Sequence, residues 1–167
     1  MPKQKLPSTG ALRALKKSGF VFDIHRYTYE SRGGTKVSAR ELGVEHEQVI
    51  KTLVMEDHDA KPLIVLMHGN QEVSTRALAR HLGVKTVKPC KPDVAQRHSG
   101  YQVGGTSPIG TRKAMPVYVE KSILDLPLIY INGGQRGLLV SMKPTDLQNL
   151  LTLELVEVAQ STGADEG

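Results

Sequence analysis

Two apolar runs, residues 48–55 and 62–68, flank the polar tetrapeptide Asp57-His58-Asp59-Ala60. Apolar stretches of this length joined by such a turn predict a β-hairpin. A single charge interrupts the first run: Lys51, inside Val49-Ile50-Lys51-Thr52-Leu53-Val54. Side chains alternate faces along a strand, so Lys51 is expected to share a face with Val49 and Leu53. An ammonium placed there must snorkel to an edge, pair with an acid, or line a cavity.

Helix signals surround the hairpin. One helix is expected after Thr9, with Leu12 and Leu15 on one face and Gly19 at its end. Residues 20–27 alternate as a strand. Ser38-Ala-Arg-Glu41 has the pattern of a capping box, opening a short helix that Gly43 closes. Ser74 caps a helix to Leu82, Pro92 opens another through His98, and Pro144 a third to Leu151. Further strands are expected at 117–119, 127–131, 138–142 and 153–158. Hairpins mixed with helices predict an α+β fold on a mixed sheet, not a doubly wound parallel one. A chain of 167 residues suits one domain. Its expected bounds are 9–159, between a basic tail at 1–8 and a flexible polar tail at 160–167. Ala39-Arg-Glu-Leu-Gly-Val44 recurs as Ala79-Arg-His-Leu-Gly-Val84, which two helices sharing a Leu-Gly exit would explain.

Charge narrows the choice of partner. Lys and Arg number 22 against 17 Asp and Glu, for a net +5. Residues 76–113 carry eight of these cations against Asp93 alone, whereas no Lys or Arg follows residue 146. This layout fits an acidic polymer or a phosphate-bearing ligand, with solvated helix faces as the plain alternative. Aromatic residues are only 4%, too few for recognition of single-stranded RNA by base stacking. The single Cys90 excludes an intrachain disulfide and a multi-thiolate metal site. The six histidines lack ligand spacing, so neither a metal nor a cofactor is expected. Lys88 and Lys91 beside Cys90 would lower its pKa, yet no His/Asn pattern supports a nucleophile there. No apolar run is long enough to span a membrane, and the first residues lack a signal peptide's apolar core. A cytoplasmic protein without membrane contact is expected.

Two glycine-rich segments remain. Gly100-Tyr-Gln-Val-Gly104-Gly105-Thr106-Ser107-Pro108-Ile-Gly110 holds four glycines and a proline in eleven residues. It matches neither a Walker loop nor a nucleophile elbow. Its glycines would let backbone N–H groups approach an oxyanion or phosphate, unless the loop is only structural. In Asn132-Gly133-Gly134-Gln135-Arg136-Gly137 the glycines suit a hairpin turn, and Arg136 is placed to meet a carboxylate or phosphate.

Val49-Ile-Lys51-Thr52-Leu53, the Gly104-Gly105-Thr106-Ser107-Pro108 loop and Gly133-Gly134-Gln135-Arg136-Gly137-Leu138, in that order, resemble the YbaK family. These are single-domain aminoacyl-tRNA deacylases related to the editing domain of bacterial prolyl-tRNA synthetase. The similarity runs from about residue 9 to 158 and is nearest to the Cys-tRNA(Pro) deacylase branch. It implies a barrel-like mixed sheet with surrounding helices, and trans-editing of tRNA(Pro) at its acceptor end alongside prolyl-tRNA synthetase. It further implies that Lys51 holds the aminoacyl-adenosine end and that Gly104 and Gly105 contact the scissile carbonyl. Tyr27, Thr52, Thr106, Ser107, Pro108, Gly133, Gly134 and Arg136 would complete the substrate site. In the mechanism this implies, the substrate's own thiol attacks its ester and leaves as a thiolactone. Two positions depart from the family: Leu139 stands where an acid is common, and Gly33-Gly34 where an aromatic is often found. These departures keep two alternatives open, a deacylase for alanine or another small residue and a catalytically silent tRNA- or synthetase-binding module.

Overall fold

A computed structural model describes residues 7–31 and 33–161. The first helix, α1 (Gly10–Ser18), is capped where the Thr9 hydroxyl accepts from the Leu12 N–H, and it ends at Gly19 in the left-handed region. β1 (Asp23–Arg26) follows, shorter than the expected 20–27.

The next helix corrects the capping-box reading. α2 (Gly34–Leu42) starts four residues before Ser38, whose hydroxyl lies inside the helix and donates to the Thr35 carbonyl. Thr35 instead anchors the first turn, its hydroxyl 2.8 Å from His46 Nε2 and 3.2 Å from the Gly69 carbonyl. These tertiary bonds outweigh the local Ser-x-x-Glu signal, which is itself short and common.

β2 (Ile50–Asp57) and β3 (Pro62–His68) form the expected antiparallel hairpin, in a register pairing Lys51 with Met67 and Val54 with Ile64. Three more strands join them: β5 (Val87–Pro89) beside β2, then β6 (Val117–Glu120) and β9 (Leu153–Val156) running parallel beyond β3. A second, antiparallel sheet has the order β1, β8 (Leu138–Met142), β7 (Ile129–Asn132). One bridge, Val49 to Tyr130, links the two sheets. The five-stranded sheet is mixed, as expected, but the sheets do not close into a barrel. β4 (Gln71–Val73) pairs with β10 (Ala159–Ser161), so Gln160 and Ser161 belong to a strand and not to a flexible tail. The rest of both expected tails, 1–6 and 162–167, lies outside the described residues.

Alternation along β3 explains why the hairpin is apolar throughout. Ile64 and Leu66 face a core built with Leu12 and Leu15 of α1 and Ile129 and Ile131 of β7. Val65 and Met67 face a second core against Leu78 of α3 (Thr75–Leu82). A sheet covered on both faces needs side chains that lose water on both. The repeated Leu-Gly exit is a shared helix stop. Gly43 and Gly83 are both left-handed, and the following Val44 and Val84 N–H groups return to the carbonyls of Ala39 and Ala79. Two helices complete the fold: α4 (Pro92–Ser99), and α5 (Pro144–Leu150), each opened by proline.

Candidate active site

β2 is paired with β3 along its length, but its other edge is only partly covered. β5 pairs with residues 55–57, the Cys90 N–H donates to the Val54 carbonyl, and the bridge to β7 meets Val49. Between these contacts the edge is open. Peptide groups in a strand alternate direction, and those of Val54 face this edge. Those of Thr52, two residues earlier, face it too. The Thr52 hydroxyl is also buried and has no hydrogen-bond partner among the described residues.

A cavity of about 510 Å³ occupies this gap, within the size range of small-ligand sites. It laps around the strand edge, so it meets Lys51 from one face and Thr52 and Val54 from the other. Tyr27 and Tyr29 form one wall, Cys90 and Ala95 another, and Val103, Gly104 and Thr106 border it from the glycine loop. Most of the lining is apolar. Lys51 and Arg136 are its cations, and no carboxylate stands among its described lining residues. Burial lowers the Lys51 pKa, and the nearby charge of Glu72 partly opposes this. A larger fraction of this amine is therefore neutral than in an exposed lysine. Burial raises the Tyr27 phenol above its ordinary value, although the Gly137 backbone pulls it back in part.

The residues singled out by sequence divide into two groups. Lys51, Thr52, Tyr27, Gly104, Thr106 and Arg136 all reach the cavity. Gly105, Ser107, Pro108, Gly133 and Gly134 lie behind it. The Gly105 N–H closes a turn on the Gln102 carbonyl at 2.9 Å, so it is engaged within the loop. A Cβ on Gly105 would come within 2.7 Å of the Arg136 nitrogen, which makes this glycine the contact between the two glycine-rich segments. The Ser107 hydroxyl accepts from the Ile109 N–H. The Gly133 carbonyl accepts from the Thr9 hydroxyl, while Gly134, at φ +94°, leaves no room for a Cβ beside Tyr101. Gly104 also has positive φ, and its N–H makes no hydrogen bond among the described residues.

Arg136 is fixed from two directions: Nε donates to the Val103 carbonyl at 3.0 Å, and the guanidinium lies 4.9 Å from the Tyr29 ring centroid. Tyr29 itself, with Asn132 and Ser38, reaches the cavity without having been marked by sequence. For Tyr29 a signal existed, its spacing of two from Tyr27 on an extended segment. Leu139, noted as a departure at a position where an acid is common, is 1% exposed and lines the cavity. At Cys90 the flanking lysines do not lower the pKa as the sequence suggested, although the thiol is inert as expected. Desolvation and the Glu56 charge outweigh Lys88 and raise its thiol to about 11, so it stays protonated and is a poor nucleophile. One acidic and imidazole cluster, Asp57, His58 and Asp59, sits on the exposed hairpin turn, away from this cavity.

A family model for the aminoacyl-tRNA editing domain matches residues 32–150. A protein of Enterococcus faecalis, provisionally named Cys-tRNA(Pro)/Cys-tRNA(Cys) deacylase EbsC, is 26% identical over 93% of this chain and 96% of its own length. The proline–tRNA ligase of Limosilactobacillus fermentum is 28% identical over 60% of this chain, which spans only 18% of that enzyme. A crystal structure provisionally described as a trans-editing enzyme for prolyl-tRNA synthetase superposes with TM-score 0.81 at 22% identity. It covers 93% of this chain and 100% of that one. The crystal structure of hypothetical protein APE2540 gives TM-score 0.82 at 20% identity, over 90% and 99% of the two chains. Both show a common fold.

Proposed function

The chain belongs to the aminoacyl-tRNA editing domain family, and on that premise we propose that it deacylates Cys-tRNA(Pro) in trans. The observation that carries this reading is the open edge of β2. It offers the half-buried Lys51 amine and the inward-facing Thr52 peptide to one largely apolar cavity. An aminoacyl ester is already activated, so orientation and hydrogen bonds to the developing oxyanion supply much of the acceleration. The Thr52 and Gly104 N–H groups are the donors for the ester carbonyl, since that of Gly105 is engaged with Gln102.

In the step we propose, the cysteinyl thiol gives its proton to the neutral Lys51 amine. Sulfur then bonds to the carbonyl carbon, and the carbon–oxygen bond to ribose breaks. Lys51 returns the proton to the ribose oxygen. The products are cysteine thiolactone and tRNA with a free 3′ end. Cys90 takes no part, because its thiol is held protonated. An apolar, carboxylate-free wall closed by Leu139 suits a small uncharged side chain such as a thiol. The same wall makes alanine the second substrate to test. Selection of tRNA(Pro) would come from prolyl-tRNA synthetase acting alongside, as this cavity accommodates only the acylated end.

Product analysis tests the mechanism. Cys-tRNA(Pro) should yield thiolactone, trapped as a hydroxamate before it hydrolyses, while Ser-tRNA(Pro) should remain acylated. Equal cleavage of the seryl ester would require water as nucleophile and rule out the thiol mechanism.

A further inference from the structure

The lining of the main cavity is one-sided in charge. It carries two cations, Lys51 and Arg136, and no carboxylate among the described residues. Arg136 is held in place by the Val103 carbonyl and the Tyr29 ring, so its charge stays at the wall. Two other lining groups that could become anions are kept neutral. Burial, helped by the Glu56 charge, pushes the Cys90 thiol up to about 11, and burial also raises the Tyr27 phenol. Two acids act on the cavity from outside its lining: Glu72, exposed on β4, partly offsets the burial of Lys51, and Glu56 stands 3.9 Å from Lys88. The borders supplied by α2 and α4 are Gly34, Thr35, Ser38 and Ala95, none of them charged.

An aminoacyl ester brings a charge of its own into this space, the α-ammonium. Beside two cations in a largely apolar cavity, that group would lose water and gain no counter-ion. The neutral amine meets suitable partners instead. The Ser38 hydroxyl donates its proton to the Thr35 carbonyl and is left as an acceptor. The Thr52 hydroxyl is buried without a partner among the described residues, and the Asn132 carboxamide reaches the same cavity. A terminal α-amino group titrates at about 8, and a neighbouring ester lowers this further, so the neutral form is well populated at neutral pH.

We propose that the site is specific for aminoacyl esters whose α-nitrogen is uncharged: it takes Cys-tRNA(Pro) as the free amine, and Lys51 and Arg136 exclude the ammonium form. The proposal rests on the deacylase reading above and refines its substrate. Exclusion by like charge is a repulsive element of specificity, added to whatever the pocket attracts.

The experiment compares Cys-tRNA(Pro) with the same tRNA esterified by 2-hydroxy-3-mercaptopropanoate. Here a hydroxyl of the amine's size replaces it and stays uncharged, while the thiol and the ester are kept. Each kcat/KM is divided by the spontaneous loss of that ester at the same pH, which removes the difference in intrinsic reactivity. Ionisation of Lys51 enters both rates, so the ratio of hydroxy to amino ester reports the substrate's nitrogen. In the wild type this ratio should be about tenfold at about pH 6, the equivalent of one pKa unit, and within about twofold of unity at about pH 9. Arg136→Gln removes one cation and should lower the acid-side ratio to about threefold, while Arg136→Lys should keep it. A ratio of unity or less on the acid side overturns the proposal. So does a ratio that stays level with pH, or one that Arg136→Gln leaves at the wild-type value. If Cys-tRNA(Pro) is cleaved but the ratio fails in any of these ways, this proposal alone falls. If neither ester is lost faster than it is spontaneously, the deacylase reading falls with it.

Discussion

Lys51 is more useful to the site than to the fold. Burial lowers its pKa in the folded chain, whereas the unfolded chain titrates at the ordinary lysine value. Between those two values the unfolded state binds more protons, so stability rises with pH across that window; below it the half-buried charge is a liability. Lys51→Met should therefore raise Tm near neutral pH and abolish deacylation, and its advantage should narrow as pH climbs toward the ordinary lysine value. Thermal unfolding from about pH 7 to about pH 10 measures both effects. Thr52 makes the same argument without charge. Its buried hydroxyl has no partner among the described residues, a condition that costs about 1–3 kcal/mol. Thr52→Val should stabilise the chain by about 1 kcal/mol in urea unfolding and lower kcat/KM; a loss of stability would mean that the hydroxyl is already satisfied. Lys51 was legible in the sequence because a charge inside an apolar strand demands an explanation. Ser38 and Asn132 were not, because their relevance comes from which segments the fold brings to the gap in β2.

Among the elements, those with strong local signals match their expectations. Thr9 and Ser74 cap helices, Pro92 and Pro144 open them, and the hairpin around Asp57 is antiparallel. The misses have physical causes. β4, β5 and β10 are three residues long, too short for alternation to register. The start of α2 is set by Thr35 reaching His46 and Gly69, contacts invisible to a local pattern. The two glycine-rich segments looked like independent loops, yet they meet at Gly105 and Arg136 and form one wall. Gly105→Ala should force that junction apart, lowering stability by about 1–3 kcal/mol and removing most activity. A shift of the urea midpoint, with activity measured on the folded fraction, tests this. An unchanged midpoint would show that the segments can separate without loss.

At the scale of the whole molecule, the net charge of +5 and the few aromatic residues are consistent with a protein that holds phosphate and ester without reading bases. The ordered motifs pointed to the family and to the α+β fold; the open sheets and the gap in β2 required the three-dimensional arrangement. Capture of a polyanion through lysine and arginine releases counterions, so log(kcat/KM) on tRNA should fall steeply and linearly with log salt. A nucleoside ester should show a much flatter response under the same conditions. The central claim is that the Lys51 side of this cavity removes cysteine from tRNA(Pro). Its most direct test is single-turnover deacylation of Cys-tRNA(Pro), beside correctly charged Pro-tRNA(Pro), by the wild type and Lys51→Ala. The cysteinyl ester alone should be lost rapidly, and its loss should slow by about two orders of magnitude or more in Lys51→Ala. Cleavage by Lys51→Ala at the wild-type rate, or no cleavage by either protein, would contradict it.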